Sequence, residues 1–245
     1  MLFPDPRHAA AHGLLALGGS YHPRILLEAY SQGIFPWPSE DMPHAWFSPD
    51  PRMVLVPSEV RVSRSLRRAL RRGRFEVRWD TAFDQVIEAC ASAPRPGQDG
   101  TWIQEELIRG FKSLHRLGFA HSVEAWYGDE LAGGLYGLSI GSLFCGESMF
   151  HRRSNASKVA FVHLARRLEA WGFRCVDCQI HTPHLERLGA REWPRDRFLD
   201  TVARAIRDPT RRGSWSEDPE PTIPTSETEG RPTTARPEDS EARRD

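Results

Sequence analysis

Between residues 53 and 208 the sequence alternates short apolar stretches with amphipathic ones, and this alternation limits the fold more than any other feature. Strands predicted at 122–126, 131–140 and 142–150 form a meander, with a Tyr-Gly-Asp-Glu turn between the first two. A helix over 155–171 and a strand over 174–180 follow, and a helix near 196–207 comes last. The sequence therefore predicts an α/β fold of the α+β kind.

The segments on either side of this region set the domain limits. Residues 13–52 are rich in aromatic side chains and contain a short helix that Pro23 begins and Gly33 ends. Residues after 208 are mostly Pro, Glu, Thr, Ser and Arg, which bury too little apolar surface to offset the entropy lost on ordering. We predict a small N-terminal domain at 1–52, a main domain at 53–208 and a disordered tail at 209–245. Further helices are predicted at 63–72, 83–90 and 103–117, and further strands at 54–56 and 75–79.

Charge, cysteine content and hydropathy argue against several classes of protein. The 33 basic and 33 acidic residues balance, so the net charge indicates no partner. The four cysteines have apolar neighbours, as reduced buried thiols do, and Cys175 and Cys178 would face opposite sides of a strand, which argues against a shared metal. No leader opens the sequence, and no apolar run approaches the roughly 18 residues of a membrane span. We expect a soluble, cytoplasmic protein without a metal.

Polar side chains interrupt two of the predicted strands. Glu147 lies in an apolar run at 143–150, and Asp177 and Gln179 lie in the strand at 174–180. Burying a carboxylate without a partner costs several kcal/mol, so such placements indicate a functional site. Residues two apart on a strand face the same side, which would place the Asp177 carboxylate beside the Gln179 amide. The alternative is a buried pair that ties two strands together.

Eight segments in order resemble the bacterial leucyl/phenylalanyl-tRNA-protein transferases. The resemblance implies a small N-terminal domain joined to a GNAT-like acyltransferase domain, whose mixed, largely antiparallel sheet is flanked by helices. It also implies a monomer that transfers Leu, Phe and less readily Met from aminoacyl-tRNA to proteins with N-terminal Arg or Lys, marking them for N-end rule degradation. The segments are 30–37, 46–52, 100–103, 121–124, 133–137, 144–150, 155–158 and 177–179.

Such a transfer needs no cofactor, because the ester of an aminoacyl-tRNA is already activated. The enzyme must supply proximity, stabilise a developing oxyanion and accept a proton from the attacking amine. The resemblance implies that Asp177 polarises Gln179 and that Gln179 draws this proton. Asp177 could instead bind the ammonium group or the basic side chain of the acceptor.

The resemblance also implies a set of substrate contacts. Aromatic rings would stack on the terminal adenosine of the tRNA, and an apolar pocket would hold the transferred side chain. Taken without the resemblance, the aromatic residues suit a core, and Asn155 suits a helix cap. The residues implied for the aminoacyl-adenosine and the acceptor are Tyr30, Trp37, Trp102, Phe144, Glu147, Met149, Asn155, Ser157 and Leu164.

A cationic ridge on the helix at 63–72 is the predicted tRNA surface, together with Lys158 at the start of the helix over 155–171. Five arginines repel each other unless phosphates neutralise them, although a solvated helix face is the alternative. An acetyl-CoA transferase is a poor match because the segment at 151–155 lacks glycine. A transferase for acidic N-termini and a non-catalytic RNA-binding module stay open as alternatives. The predicted tRNA-binding residues are Arg64, Arg67, Arg68, Arg71, Arg72 and Lys158.

Overall fold

The computed structural model describes residues 2–39, 44–93, 104–216 and 218. The N-terminal part forms a three-stranded antiparallel sheet in the order β1-β3-β2, and helix α1 connects its first two strands. Proline at the first position of α1 has the backbone angle that a helix start requires. These elements are β1 (Leu14–Leu17), α1 (Pro23–Tyr30), β2 (Phe35–Pro36) and β3 (Ala45–Phe47).

The remaining strands form one seven-stranded sheet in the order β10-β4-β9-β8-β7-β6-β5. Every neighbouring pair is antiparallel except β8 and β9, which run parallel. The predicted mixed, largely antiparallel sheet is therefore confirmed. The strands are β4 (Arg52–Leu55), β5 (Glu76–Trp79), β6 (Ala120–Tyr127), β7 (Glu130–Ile140), β8 (Leu143–His151), β9 (Cys175–Gln179) and β10 (Arg191–Trp193).

Six further helices flank this sheet within the described residues. The long helix between β8 and β9 agrees with its prediction, whereas the short helix and strand after β9 were not predicted. Elements of three to five residues are too short to show a period. The helices are α2 (Arg64–Arg71), α3 (Phe83–Ser92), α4 (Glu105–Arg116), α5 (Ala156–Ala170), α6 (Pro183–Arg187) and α7 (Arg195–Ala205). In the part of the chain that the structure describes, no helix could cross a membrane, given its length and hydropathy.

Two apolar cores pack around the seven-stranded sheet. The first contains Tyr30 and Trp46 from the N-terminal part together with Phe111 and Phe198 from α4 and α7. The second packs α5 against α2 and the central strands, and Leu164 is one of its buried residues. The two predicted domains therefore share the first core, and the chain enters β4 at Arg52.

The prediction that disorder begins at residue 209 is wrong. Trp215 is buried, and its indole stacks on the His121 ring with centroids 3.7 Å apart. Its backbone N–H donates to the Asp80 carboxylate at 2.8 Å. Residues 209–216 thus pack on the main domain, because one large aromatic side chain buries enough surface to order a polar segment. The tail from 219 onward lies outside the described residues.

Candidate active site

A cavity opens where the two parallel strands part. The pairing of β8 with β9 ends at Cys145 and Asp177, although β8 continues along β7 to its last residue. At Gln179 the backbone takes a φ of 62°, which leaves the extended conformation and ends β9. The cavity between the two strands has a volume of about 310 Å³.

Five of the predicted site residues line this cavity. They come from β8, α5 and β9, and apolar side chains such as Leu135, Phe161 and Val176 form most of the remaining wall. Gly137 on β7 leaves room for one of them, because a Cβ atom there would collide with the Phe144 ring. The predicted residues that line the cavity are Phe144, Glu147, Met149, Leu164 and Gln179.

Asp177 is bound to a buried arginine. Arg52 Nε donates to Oδ1 of Asp177 at 2.7 Å, and Nη2 donates to Oδ2 at 2.6 Å, in a bidentate pair. Both side chains are at most 1% exposed. The Arg52 guanidinium lies between the rings of Phe35 and Phe198, 4.6 Å from each centroid. The ion pair is therefore sealed from the cavity.

The expectation that the Asp177 carboxylate lies beside the Gln179 amide is wrong. Asp177 Oδ1 accepts a hydrogen bond from the backbone N–H of Gln179 at 2.9 Å, while the Gln179 side-chain amide donates to Oε1 of Glu147 at 2.7 Å. The two-residue period fails here because Gln179 has left the extended conformation. Asp177 positions the Gln179 backbone, and Glu147 is the partner of the Gln179 side chain.

Glu147 is a buried carboxyl group with an altered proton affinity. Burial, with a contribution from the Asp177 charge, raises the pKa of Glu147 to about 8. Its second oxygen, Oε2, has no hydrogen-bond partner within the described residues. The hydroxyl of Tyr30 approaches the carboxylate without reaching hydrogen-bond geometry, and burial followed by the Glu147 charge raises the pKa of Tyr30. Oε1 of Glu147 is thus occupied by the Gln179 amide, whereas Oε2 is shielded from solvent and unpaired within the described residues.

The predicted aromatic contacts differ in exposure. Trp37 is 37% exposed and lies over Phe35 and against Phe47, with centroids 6.5 Å and 5.5 Å away. Tyr30 is only 1% exposed and lies under Glu147. Trp102 lies outside the described residues. Trp37 can therefore offer a ring to a base, whereas Tyr30 supports the site from below.

The predicted residues at the start of α5 are not among those that line the cavity, although Lys158 interacts electrostatically with His184, which does. Asn155 precedes the helix with a φ of 71°, and its side chain makes no capping hydrogen bond, so capping does not explain it. Ser157 is buried and Lys158 is half-buried in the first turn. The N-terminus of this 15-residue helix is thus without a side-chain cap.

The predicted cationic ridge is exposed. All five arginines of the ridge are accessible, and in the described residues none of them forms an ion pair. Leu66 on the opposite face of α2 packs in the second core. Over the same described residues, no group of three or more His, Cys, Asp or Glu side chains is placed to hold a metal ion.

Arg52 and His184 are among the residues of the site that were not predicted. Arg52 was noted only as the end of the segment 46–52, although an arginine next to the apolar strand Met53–Leu55 signals a buried charge that needs a partner. His184 lines the cavity from α6, a five-residue helix that no periodicity revealed. Both contacts join residues that are far apart in the sequence.

Comparison with known proteins identifies the family. The model of the leucyl/phenylalanyl-tRNA protein transferase N-terminal domain matches residues 19–50, and the leucyl/phenylalanyl-tRNA protein transferase model matches residues 54–203. The transferase of Myxococcus xanthus is 56% identical over 216 residues, which cover 88% of this chain and 92% of that protein. The transferase of Nitrosospira multiformis is 54% identical over 222 residues, covering 89% and 95%. The chain therefore belongs to the leucyl/phenylalanyl-tRNA protein transferases.

Proposed function

We propose that this protein transfers Leu, Phe and less readily Met from aminoacyl-tRNA to the α-amino group of proteins with N-terminal Arg or Lys. It acts in the cytoplasm as a monomer without a cofactor, and its products are marked for N-end rule degradation. The observation that carries the proposal is the 2.7 Å hydrogen bond between Gln179 and Glu147 at the edge of an apolar cavity. A pair of polar groups beside an apolar pocket suits a reaction centre next to a side-chain binding site.

The cavity receives the transferred side chain. Phe144, Met149 and Leu164 form an apolar wall, and the volume of about 310 Å³ is near the lower limit of small-molecule sites, as a single amino-acid side chain requires. Trp37 stacks on the terminal adenine, with Trp102 as its proposed companion. The two ends of the aminoacyl-adenosine are thus held by apolar contact and stacking, and the ester carbonyl lies between them.

Glu147 and Gln179 handle the acceptor amine. An α-ammonium group has a pKa near 8, close to the pKa of about 8 for Glu147, and such a match favours proton transfer. The ionised Glu147 takes a proton from the ammonium group, and the Gln179 carbonyl oxygen accepts a hydrogen bond from the amine. The amine nitrogen then forms a bond to the ester carbonyl carbon as the bond to the ribose oxygen breaks. Glu147 gives its proton to that oxygen, then takes the second proton that the bonded nitrogen loses, and releases it to solvent.

Asp177 acts in this scheme as a positioning residue. Its carboxylate holds the backbone N–H of Gln179, and Arg52 holds the carboxylate. The same buried charge keeps the Glu147 region favourable for a cation when Glu147 is ionised, which suits a basic acceptor. The alternative in which Asp177 itself binds the acceptor is disfavoured, because its side chain is 1% exposed.

A labelling experiment tests this function. The protein is incubated with radiolabelled Phe-tRNA or Leu-tRNA and with peptides that begin with Arg, Lys, Asp or Glu. We expect label on the Arg and Lys peptides, and we expect Gln179→Ala to reduce the rate at least about 100-fold. Gln85→Ala, an exposed glutamine on α3, is the matched control and keeps the wild-type rate.

Two results would contradict the proposal. Label on the Asp and Glu peptides would identify a transferase for acidic N-termini. Retention of tRNA binding with no labelled peptide would identify a non-catalytic RNA-binding module.

A further inference from the structure

A second cationic cluster, apart from the arginines of α2, surrounds a histidine that lines the cavity. His184 lines the cavity, and its electrostatic neighbours are Lys158 from the first turn of α5, Arg187 from α6 and His151 from the end of β8. Burial, together with these three neighbours, lowers the pKa of His184. The imidazole is therefore a neutral donor that two permanent cations accompany.

The structure supplies no protein anion for this cluster. Within the described residues, Lys158, Arg187 and His151 form no ion pair. His184 Nε2 is shielded from solvent and has no hydrogen-bond partner there. Repulsion between like charges that lack a counter-charge raises the free energy of the protein. A bound anion offsets this repulsion.

The location indicates which anion binds. His184 shares the cavity with Glu147 and Gln179, where the aminoacyl ester must lie during transfer. The first negatively charged groups beyond that ester are the phosphodiesters of the last nucleotides of the tRNA. The N-terminus of α5, which has no side-chain cap, adds a positive end of the helix dipole to the same cluster.

We infer that Lys158, His184, Arg187 and His151 form a binding site for a phosphodiester at the 3′ end of the tRNA. This inference rests on the proposed function and deepens it. The arginines of α2 would bind the body of the tRNA, while this site would seat its terminus so that the ester reaches Gln179. The two surfaces should therefore respond to different parts of the donor.

Two short donors separate the surfaces. One is 3′-O-phenylalanyl-adenosine, which carries no phosphate, and the other is the phenylalanyl ester of cytidylyl-adenosine, which carries one phosphodiester. With an Arg-initiated peptide as acceptor, we expect kcat/KM to be at least about tenfold higher for the dinucleotide ester. Lys158→Gln should bring this ratio close to one.

The controls come from the same chain. Lys112 is the other lysine in the sequence and pairs with Asp84 and Glu88, so Lys112→Gln should leave the ratio unchanged. Arg68→Gln on α2 should lower the rate with Phe-tRNA without changing the ratio. Thermal unfolding of each variant verifies that it is folded.

Several outcomes would overturn the inference. A wild-type ratio near one would show that the phosphodiester is not bound, and an equal loss with both donors in Lys158→Gln would place Lys158 elsewhere in the reaction. A Lys158→Gln effect that depends on acidic residues in the acceptor peptide would assign the cluster to the peptide instead. Failure of the wild-type protein to use any donor would contradict the proposed function itself.

Discussion

Arg52 and Arg167 are both buried, yet they differ in what they hold. Arg52 lies between two phenylalanine rings and forms a bidentate ion pair with Asp177 on the strand that ends at Gln179. Arg167 on α5 lies 3.7 Å from the Trp79 ring centroid and donates to the backbone carbonyl of Trp215 at 3.0 Å. Aromatic faces shelter both guanidinium groups, as cation–π contacts do.

The difference between the two is the partner of the charge. The partner of Arg52 is the Asp177 side chain, which also holds the Gln179 backbone, so the arginine helps to fix a residue of the candidate site. Arg167 donates instead to the backbone carbonyls of Trp215 and Asp218, so this arginine holds the C-terminal segment in place. Loss of Arg52 should therefore affect transfer as well as stability, whereas substitutions in the region around Arg167 should affect stability alone.

The largest expected effect comes from splitting the Arg52 pair. Arg52→Met leaves the Asp177 charge buried without a partner and should lower the free energy of unfolding by about 3–5 kcal/mol, with loss of transfer. The double variant Arg52→Met/Asp177→Leu should recover most of that stability, because an apolar pair can replace a buried ion pair. Urea unfolding and the peptide-labelling rate measure the two effects.

Transfer by the double variant is the decisive observation. If Arg52 and Asp177 position Gln179, the stable double variant should still transfer poorly. A wild-type rate in that variant would mean that the pair serves the fold only, as Arg167 does.

Trp215→Ala should have the next largest effect. The substitution removes a buried indole that packs on His121 and Phe144, at a cost of about 3–4 kcal/mol in unfolding free energy. Transfer by the folded protein should fall by no more than about threefold, which equals about 0.7 kcal/mol. The exposed neighbour Ser216 is the control, and Ser216→Ala should cost less than about 0.5 kcal/mol. A loss of transfer as deep as that of Arg52→Met would remove the distinction between the two regions.

We expect the free energy of unfolding to depend on pH through Glu147, an electrostatic neighbour of the Arg52–Asp177 pair. The pKa of Glu147 is raised to about 8, so between its ordinary value near 4.3 and 8 the folded state holds a proton that the unfolded state has released. Stability therefore falls as pH rises through this window, by up to about 1.4 kcal/mol per pH unit. Urea unfolding at pH 6 and pH 7 should show this decrease, and Glu147→Gln should remove it. An unchanged slope in that variant would assign the effect to another group.

The smallest expected effect separates two leucines of α5. Leu164 lines the cavity, whereas Leu168, next to Arg167, is buried and does not. Leu164→Phe should reduce the cavity and shift the preference between Phe-tRNA and Leu-tRNA towards Leu by about 1 kcal/mol. Leu168→Phe is the matched control, and it should change stability without changing the preference. Competition between the two charged tRNAs gives the ratio directly.

The sequence predicted the elements that are long and periodic. Apolar positions repeat along β6, β7, β8 and α5, and this periodicity allowed these elements to be predicted. Five of the residues predicted for the site, Phe144, Glu147, Met149, Leu164 and Gln179, line one cavity in the structure, while their roles stay a prediction. Strands of two or three residues, such as β2 and β10, carry no repeat and escaped prediction.

The pairings inside the site could not be predicted in the same way. Arg52 and Asp177 are 125 residues apart, and only the packing of β4 against β9 brings them into contact. The Gln179 side chain bonds to Glu147 because the Gln179 backbone takes a left-handed φ angle, and no local sequence pattern predicts that angle. The packing of Trp215 could not be predicted because the residues around it are polar, although one buried indole was enough to order the segment.

The position of Arg52 has a practical consequence for anyone trimming this enzyme. A fragment that starts at residue 53 would keep all of residues 54–203, the region that the main family model matches, and would look self-sufficient. It would nevertheless lose the counter-ion of Asp177 together with Phe35, one of the two rings that shelter it. The boundary between the two parts of the chain runs through the contacts that hold Asp177, so we expect neither part to be separable as an independent module.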